Sequence, residues 1–257
     1  MEHFLANGAK FSYVQKAIKD SPVVVWGHGW GQDHRAFLSL VAGVEKNGRH
    51  IVLDFPGFGK SSEPPESWGT ADYSDAVASW LRRQDFGKII WVGHSFGGRV
   101  GIQLAARHPD LVDGMFLIAA AGLKPKRPLY KRISMKGRVL TFKFLKNFVP
   151  AALDNDRLMK KFGSSDYKNA GPLRKLFVRV VNEDLKDEAA RITCPVKLVY
   201  GTLDTEARPE MGERLQKLIP NAELVLLPGE DHYTVLNGGH HQVASLLNRF
   251  IKDPHVS

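Results

Sequence analysis

The sequence predicts an α/β protein built on one mostly parallel, doubly wound sheet, and three features carry that expectation. Short apolar runs typical of strands buried on both faces recur at Pro22–Trp26, His50–Asp54, Lys88–Val92, Leu111–Ile118, Val196–Gly201 and Glu223–Leu227. Segments with apolar residues at helical spacing separate most of these runs, which implies crossovers between parallel strands covered on both faces. Two of the runs end in glycine-rich turns, Gly27-His28-Gly29-Trp30-Gly31 and Gly93-His94-Ser95-Phe96-Gly97-Gly98. No long Gly/Ser/Pro run marks a linker in the 257 residues, so a single domain, 1–257, is expected.

Taken in order, Asn7-Gly8 between two short extended segments signals a two-residue hairpin, because both turn positions of the favoured loop need positive φ. The chain should therefore open with an antiparallel edge. Helices are expected over Arg35–Lys46, with Phe37, Leu38, Val41 and Val44 on one face, and over Thr70–Gln84, with Val77, Trp80 and Leu81 inward. A third should run from Phe96 to Arg107, and the last two over Pro209–Leu218 and His240–Ile251. Between Gly122 and Ala190 the alternation fails; Leu129, Ile133, Leu140, Phe144 and Phe148 suggest short amphipathic helices forming a lid inserted into the core, residues 122–190.

Composition excludes several classes. Apolar content of 43% and charged content of 25% are those of a globular protein. No apolar run reaches about 18 residues, so no transmembrane helix is expected. The first residues lack the basic start and apolar stretch of a signal peptide, and the single cysteine, Cys194, cannot form an internal disulfide; a cytoplasmic location is the expectation. Cys194, before Pro195 at a strand entrance, reads as packing. The net charge of +9 is concentrated: residues 122–190 hold 17 Lys/Arg against 7 Asp/Glu, and Gly122–Pro150 holds nine basic residues and no acidic one.

The stretch around Ser95 organises the chemistry. Gly93 to Gly97 reads G-x-S-x-G between a strand and a helix, a context in which the serine is held in strain with its oxygen exposed. The amide of Phe96, at the helix N-terminus, then points at any oxygen developing negative charge on a carbonyl that Ser95 attacks. Serine needs a base at neutral pH, and the base needs an acceptor. His232 follows the last strand and Asp204 the one before it, in the order Ser95, Asp204, His232. Asp54, after an earlier strand, and Glu230 and Asp231, beside His232, are rivals for the acid.

With these residues the chain resembles the α/β-hydrolase superfamily over nearly its whole length. The resemblance rests on His28-Gly29-Trp30-Gly31, on Asp54-Phe55-Pro56-Gly57-Phe58-Gly59-Lys60-Ser61, on the motif at Ser95, and on Asp204 with His232. It implies the α/β-hydrolase fold with a helical lid, a Ser95–His232–Asp204 triad, Trp30 N–H beside Phe96 N–H as oxyanion donors, a bracing role for His28, and a structural turn at Asp54. It implies no metal and no cofactor. Serine rather than aspartate at position 95 favours acyl transfer to water.

His28-Gly29-Trp30-Gly31-Gln32 and Phe55-Pro56-Gly57-Phe58-Gly59 are also similar to small carboxylesterases that include pimeloyl-carrier-protein methyl ester esterase, although C–C bond hydrolases and lactonases share these motifs. The expected function is hydrolysis of a small or acyl-carrier-bound carboxylic ester. A C–C hydrolase or lactonase with the same triad is the alternative, and a non-catalytic small-molecule binding protein is the reading from another class. Lys126, Arg127, Lys131, Arg132 and Arg138 are candidate contacts for an anionic partner, an acyl carrier or an anionic membrane surface; no motif points to nucleic acid.

Overall fold

The computed structural model describes residues 1–17, 22–124 and 169–255. Eight strands form one sheet in the order β1-β2-β4-β3-β5-β6-β7-β8. They are β1 (Glu2–Ala6), β2 (Ala9–Ala17), β3 (Val23–Gly27), β4 (Arg49–Asp54), β5 (Ile89–His94), β6 (Val112–Ile118), β7 (Val196–Gly201) and β8 (Ala222–Leu227). β1 and β2 are antiparallel, as are β2 and β4, and every other neighbouring pair is parallel. The hairpin turns at Asn7 and Gly8, with φ of 49° and 86°, as the sequence requires.

Helices flank the sheet: α1 (Leu38–Val44), α2 (Thr70–Leu81), α3 (Phe96–Arg107), α4 (Arg174–Asn182), α5 (Lys186–Ala189), α6 (Pro209–Leu218), α7 (Thr234–Asn237) and α8 (His240–Lys252). α1 packs against α8, and α2 against α3. All five residues of β3 are buried, and β5 is buried throughout, the state that a central parallel strand with both faces covered imposes. Trp26 and Trp91, one on each of these strands, are fully enclosed; side chains of this kind each contribute about 2 kcal/mol or more by leaving water.

The expected helix over Arg35–Lys46 is shorter, and Phe37, Val41 and Val44 are buried as expected. A 3-10 turn, His34–Phe37, opens it, capped by the Asp33 side chain, which accepts from Arg35 N–H; another 3-10 turn, Glu45–Asn47, closes it. Leu40, three residues after Phe37, completes this buried face, whereas Leu38, also expected on it, is 43% exposed. Of the segment expected to form short helices, residues 169–190 carry a 3-10 turn at Gly171–Leu173 followed by α4 and α5. Lys126, Arg127, Lys131, Arg132 and Arg138 lie outside the described residues.

Strand order sets the position of the site. From β3 the chain crosses to β4 on one side, then returns to place β5 on the other side of β3. Such a reversal opens a crevice at the carboxyl ends of the two strands. Here those ends coincide, with Gly27 paired to Gly93.

Candidate active site

β5 runs into α3 through Ser95, whose φ of 48° and ψ of −104° lie where an L-residue is strained, at a cost of about 1–3 kcal/mol. The turn is held from several sides. Ser95 N–H donates to the Ile118 carbonyl at 3.1 Å, Gly97 N–H to the His28 carbonyl at 2.9 Å, and the Ser95 carbonyl accepts from Gly98 and Arg99. A side chain at Gly93 would come within 2.6 Å of the Gly97 carbonyl oxygen, and one at Gly97 would overlap the Gly27 carbonyl. The helix can approach the sheet this closely only where both residues are glycine. No described residue accepts a hydrogen bond from the amides of Phe96 or Trp30.

Asp204, three residues beyond β7, and His232, in the loop after β8, meet across the edge of the sheet. His232 Nδ1 lies 2.8 Å from Asp204 Oδ2. The other carboxylate oxygen accepts from the amides of Glu206 and Ala207, both at 2.8 Å. Both side chains are buried. A carboxylate facing Nδ1 assigns the ring proton to that nitrogen and leaves Nε2 free as an acceptor. Ser95 and His232 line the same small cavity, together with Trp30, His94, Glu206 and Tyr233. No hydrogen bond joins Ser95 to His232, and Nε2 lies 3.7 Å from Glu206 Oε2.

A cleft of about 520 Å³ borders this cavity and shares Trp30, Gln32 and Tyr233 with it; Phe58 and Leu173 are among its other walls. The Trp30 ring packs against Phe58, Phe96 and Phe177, with centroids 5.0, 5.7 and 5.0 Å away. Edge-to-face packing of this kind fixes the loop that carries the Trp30 amide.

Histidines brace both loops. His28 Nε2 accepts from Phe55 N–H at 3.0 Å while Nδ1 donates to the Gly29 carbonyl at 2.7 Å, the pattern of a neutral ring. Burial pushes His28 down to about 4. His94, also buried, lies with Nδ1 3.0 Å from Gln32 Oε1 and Nε2 3.0 Å from the His232 carbonyl oxygen. Burial, and then the charge His232 can carry, pushes His94 down to about 3.

The rival acids point elsewhere. Asp54 accepts from the His34 amide and ring and from Lys60 N–H, in a turn that Gly59 closes. Asp231 Oδ1 accepts from the amides of Tyr233 and Thr234, and Glu230 lies against Gly239. Asp33, His34 and Asp54 form the cation-sized group found among the described residues, but Arg35 occupies both oxygens of Asp33 and the two Asp54 oxygens already accept. Cys194 is partly buried, and burial pushes its thiol up to about 12.

Sequence reasoning did not single out Gln32, His94, Glu206 or Tyr233 as parts of this site. Gln32 and His94 stand inside the glycine motifs and Glu206 two residues after Asp204, positions that give proximity in the chain but no direction for the side chain.

Comparison with known proteins agrees with this arrangement of strands and loops. A 1-acylglycerol-3-phosphate O-acyltransferase of Arabidopsis thaliana is 29% identical over 53% of this chain, and the match spans only 35% of that protein. A pimeloyl-[acyl-carrier protein] methyl ester esterase of Vibrio vulnificus (strain YJ016) is 24% identical over 82% of this chain and 87% of its own. The crystal structure of the enol-lactonase from Burkholderia xenovorans LB400 shares the fold, with a TM-score of 0.72 at 22% identity, covering 98% of this chain and all of that one. The model of the alpha/beta hydrolase family matches residues 23–246, and the chain belongs to that family.

Proposed function

We propose that the protein is a cofactor-independent serine hydrolase of carboxylic esters. The observation that carries this reading is the 2.8 Å contact of His232 Nδ1 with Asp204, made where Ser95 faces the same cavity from a strained strand-to-helix turn. Ser95 Oγ attacks the carbonyl carbon and its proton passes to His232 Nε2, while Asp204 holds the ring and stabilises its positive form. The tetrahedral oxyanion is received by the amides of Phe96 and Trp30, aided by the α3 N-terminus. Collapse expels the alcohol with the proton from Nε2, and a water deprotonated by the same nitrogen then releases the acid and restores Ser95. The Ser95–His232 hydrogen bond forms as substrate binds, a tightening usual between unliganded and occupied sites.

On this reading residues 122–190 form a basic lid over a single domain, and Lys126, Arg127, Lys131, Arg132 and Arg138 serve an acidic or carrier-bound substrate. The concentration of charge and the Vibrio relative's carrier-bound ester support this.

The test is turnover of a short p-nitrophenyl ester. Ser95→Ala should lower it by several orders of magnitude with the fold retained by circular dichroism. Unchanged turnover would end the proposal. Preference for lactones or vinylogous diketones over esters in the same panel would move the bond cleaved while keeping the residues.

A further inference from the structure

We propose that Glu206 reads the alcohol half of the ester, so that preferred substrates carry a positive or hydrogen-bond-donating group two or three bonds beyond the ester oxygen. This rests on the hydrolase reading and extends it to a substrate class.

In the proposed reaction the leaving oxygen takes its proton from His232 Nε2 and must come within hydrogen-bonding distance of it. Glu206 Oε2 lies 3.7 Å from that nitrogen. The atoms immediately beyond the leaving oxygen therefore arrive at the Glu206 carboxylate, while the acyl chain is directed away by the attack geometry at Ser95.

The carboxylate is held in place from both ends. Tyr233 Oη donates to Glu206 Oε2 at 3.4 Å, and the Glu206 amide donates to Asp204 Oδ1 at 2.8 Å. The acid that orients His232 thus also fixes the backbone of Glu206.

Charge in the surroundings points the same way. Among the described residues, Glu206 is the only carboxylate lining the cavity around Ser95, no Lys or Arg lines that cavity or the adjoining cleft, and Glu63 is the one charged wall of the cleft. An anionic group on the alcohol side would meet the Glu206 carboxylate. A hydroxyl or an ammonium would meet a hydrogen-bond acceptor of opposite charge. Because the Glu206 side chain is 44% exposed, the discrimination should be modest, about tenfold in kcat/KM.

The experiment compares esters of one short acyl group with ethanol, ethylene glycol, choline and glycolate, using the wild type and Glu206→Ala, which removes both the charge and the acceptor. The readout is the ratio of kcat/KM to that of the ethyl ester. The wild type should favour the glycol monoester, the choline ester or both by about tenfold and disfavour the glycolate ester, and the variant should bring these ratios close to one. A response to choline alone assigns recognition to charge, and to glycol alone assigns it to hydrogen bonding; either supports the proposal. Ratios near one in the wild type, or ratios unchanged by the substitution, would overturn it. So would a loss of equal size on all four esters, since that would place Glu206 at His232 or the hydrolytic water. A wild type that turns over none of the esters would instead reject the hydrolase reading itself.

Discussion

The Nε2 atom of His94 lies 3.0 Å from the backbone carbonyl oxygen of His232. The opposite nitrogen of the same ring lies 3.0 Å from Gln32 Oε1, which also accepts from Gly29 N–H at 2.9 Å. One buried ring therefore ties the loop after β8 to the loop after β3. The Gly29 donor fixes the Gln32 amide with its oxygen toward His94, so both neighbours of the ring are acceptors. A neutral imidazole has one N–H and satisfies one of them at a time.

His94→Ala should therefore lower kcat on a short ester by about 10- to 100-fold with KM changed less, because the link places His232. Gln32→Ala, which leaves the His232 carbonyl contact available to a ring N–H, should cost less. Steady-state kinetics on both variants, with folding followed by circular dichroism, checks the order; equal or absent losses would remove the positioning role.

Asp204→Asn preserves shape and can still accept from the amides of Glu206 and Ala207 through its oxygen. It presents an amide where a carboxylate should hold the ring, so kcat should fall by about 10⁴ while binding persists. Asp54→Asn, whose carboxylate closes a turn away from His232, should instead register in stability. Measuring kcat and urea midpoint on both variants separates the two acids.

Gly97→Ala should destabilise the protein by about 1–3 kcal/mol or prevent its folding. Its new Cβ meets the backbone carbonyl of Gly27, which no rotamer change can move. Urea denaturation is the measurement.

Stability should fall on acidification below about pH 6.5 through three buried histidines. Burial pushes His28 and His50 down to about 4 and His94 to about 3. Above their ordinary value the rings are neutral in both folded and unfolded chains and the contribution is complete. As the pH drops through that value the unfolded chain takes up protons that the folded one refuses, until the folded rings protonate as well. The slope should approach about 1.4 kcal/mol per pH unit for each ring. Denaturation at about pH 7.5 and about pH 5 reads it, and a flat profile between them would contradict it.

Reversing Lys126, Arg127 and Arg132 to Glu should raise KM for an acidic or carrier-bound ester and spare a small neutral one, and added salt should weaken the wild-type preference. Equal effects on both substrates would leave these charges as a solubility feature.

Much of the fold was legible because it is written in local constraints. The hairpin at Asn7-Gly8 follows from two residues that tolerate positive φ, and the turn at Ser95 from glycines where helix and sheet meet. The central strands announce themselves as unbroken apolar runs. Leu38 shows the limit of reading a face from apolar type: Phe37, Leu40, Val41 and Val44 keep helical spacing and are buried, while Leu38, apolar but off that face, is exposed. The choice among Asp54, Asp204, Glu230 and Asp231 could be ordered by strand position, but the distance to His232 depends on how two loops fold over each other. Glu206 and the link from His94 to His232 were not legible because each joins segments through side-chain direction, which neither motif nor composition encodes.

The small cavity beside Ser95 takes its walls from the loop after β3, with Gly29, to the loop after β8, with Tyr233, and the turn at Ser95 leans on carbonyls of His28 and Ile118. During synthesis the hydrogen bond from Ser95 N–H to Ile118 therefore waits for β6 to leave the ribosome, and the cavity waits for the loop after β8. A nascent or truncated chain lacking β8 carries the serine motif intact and yet has no assembled site.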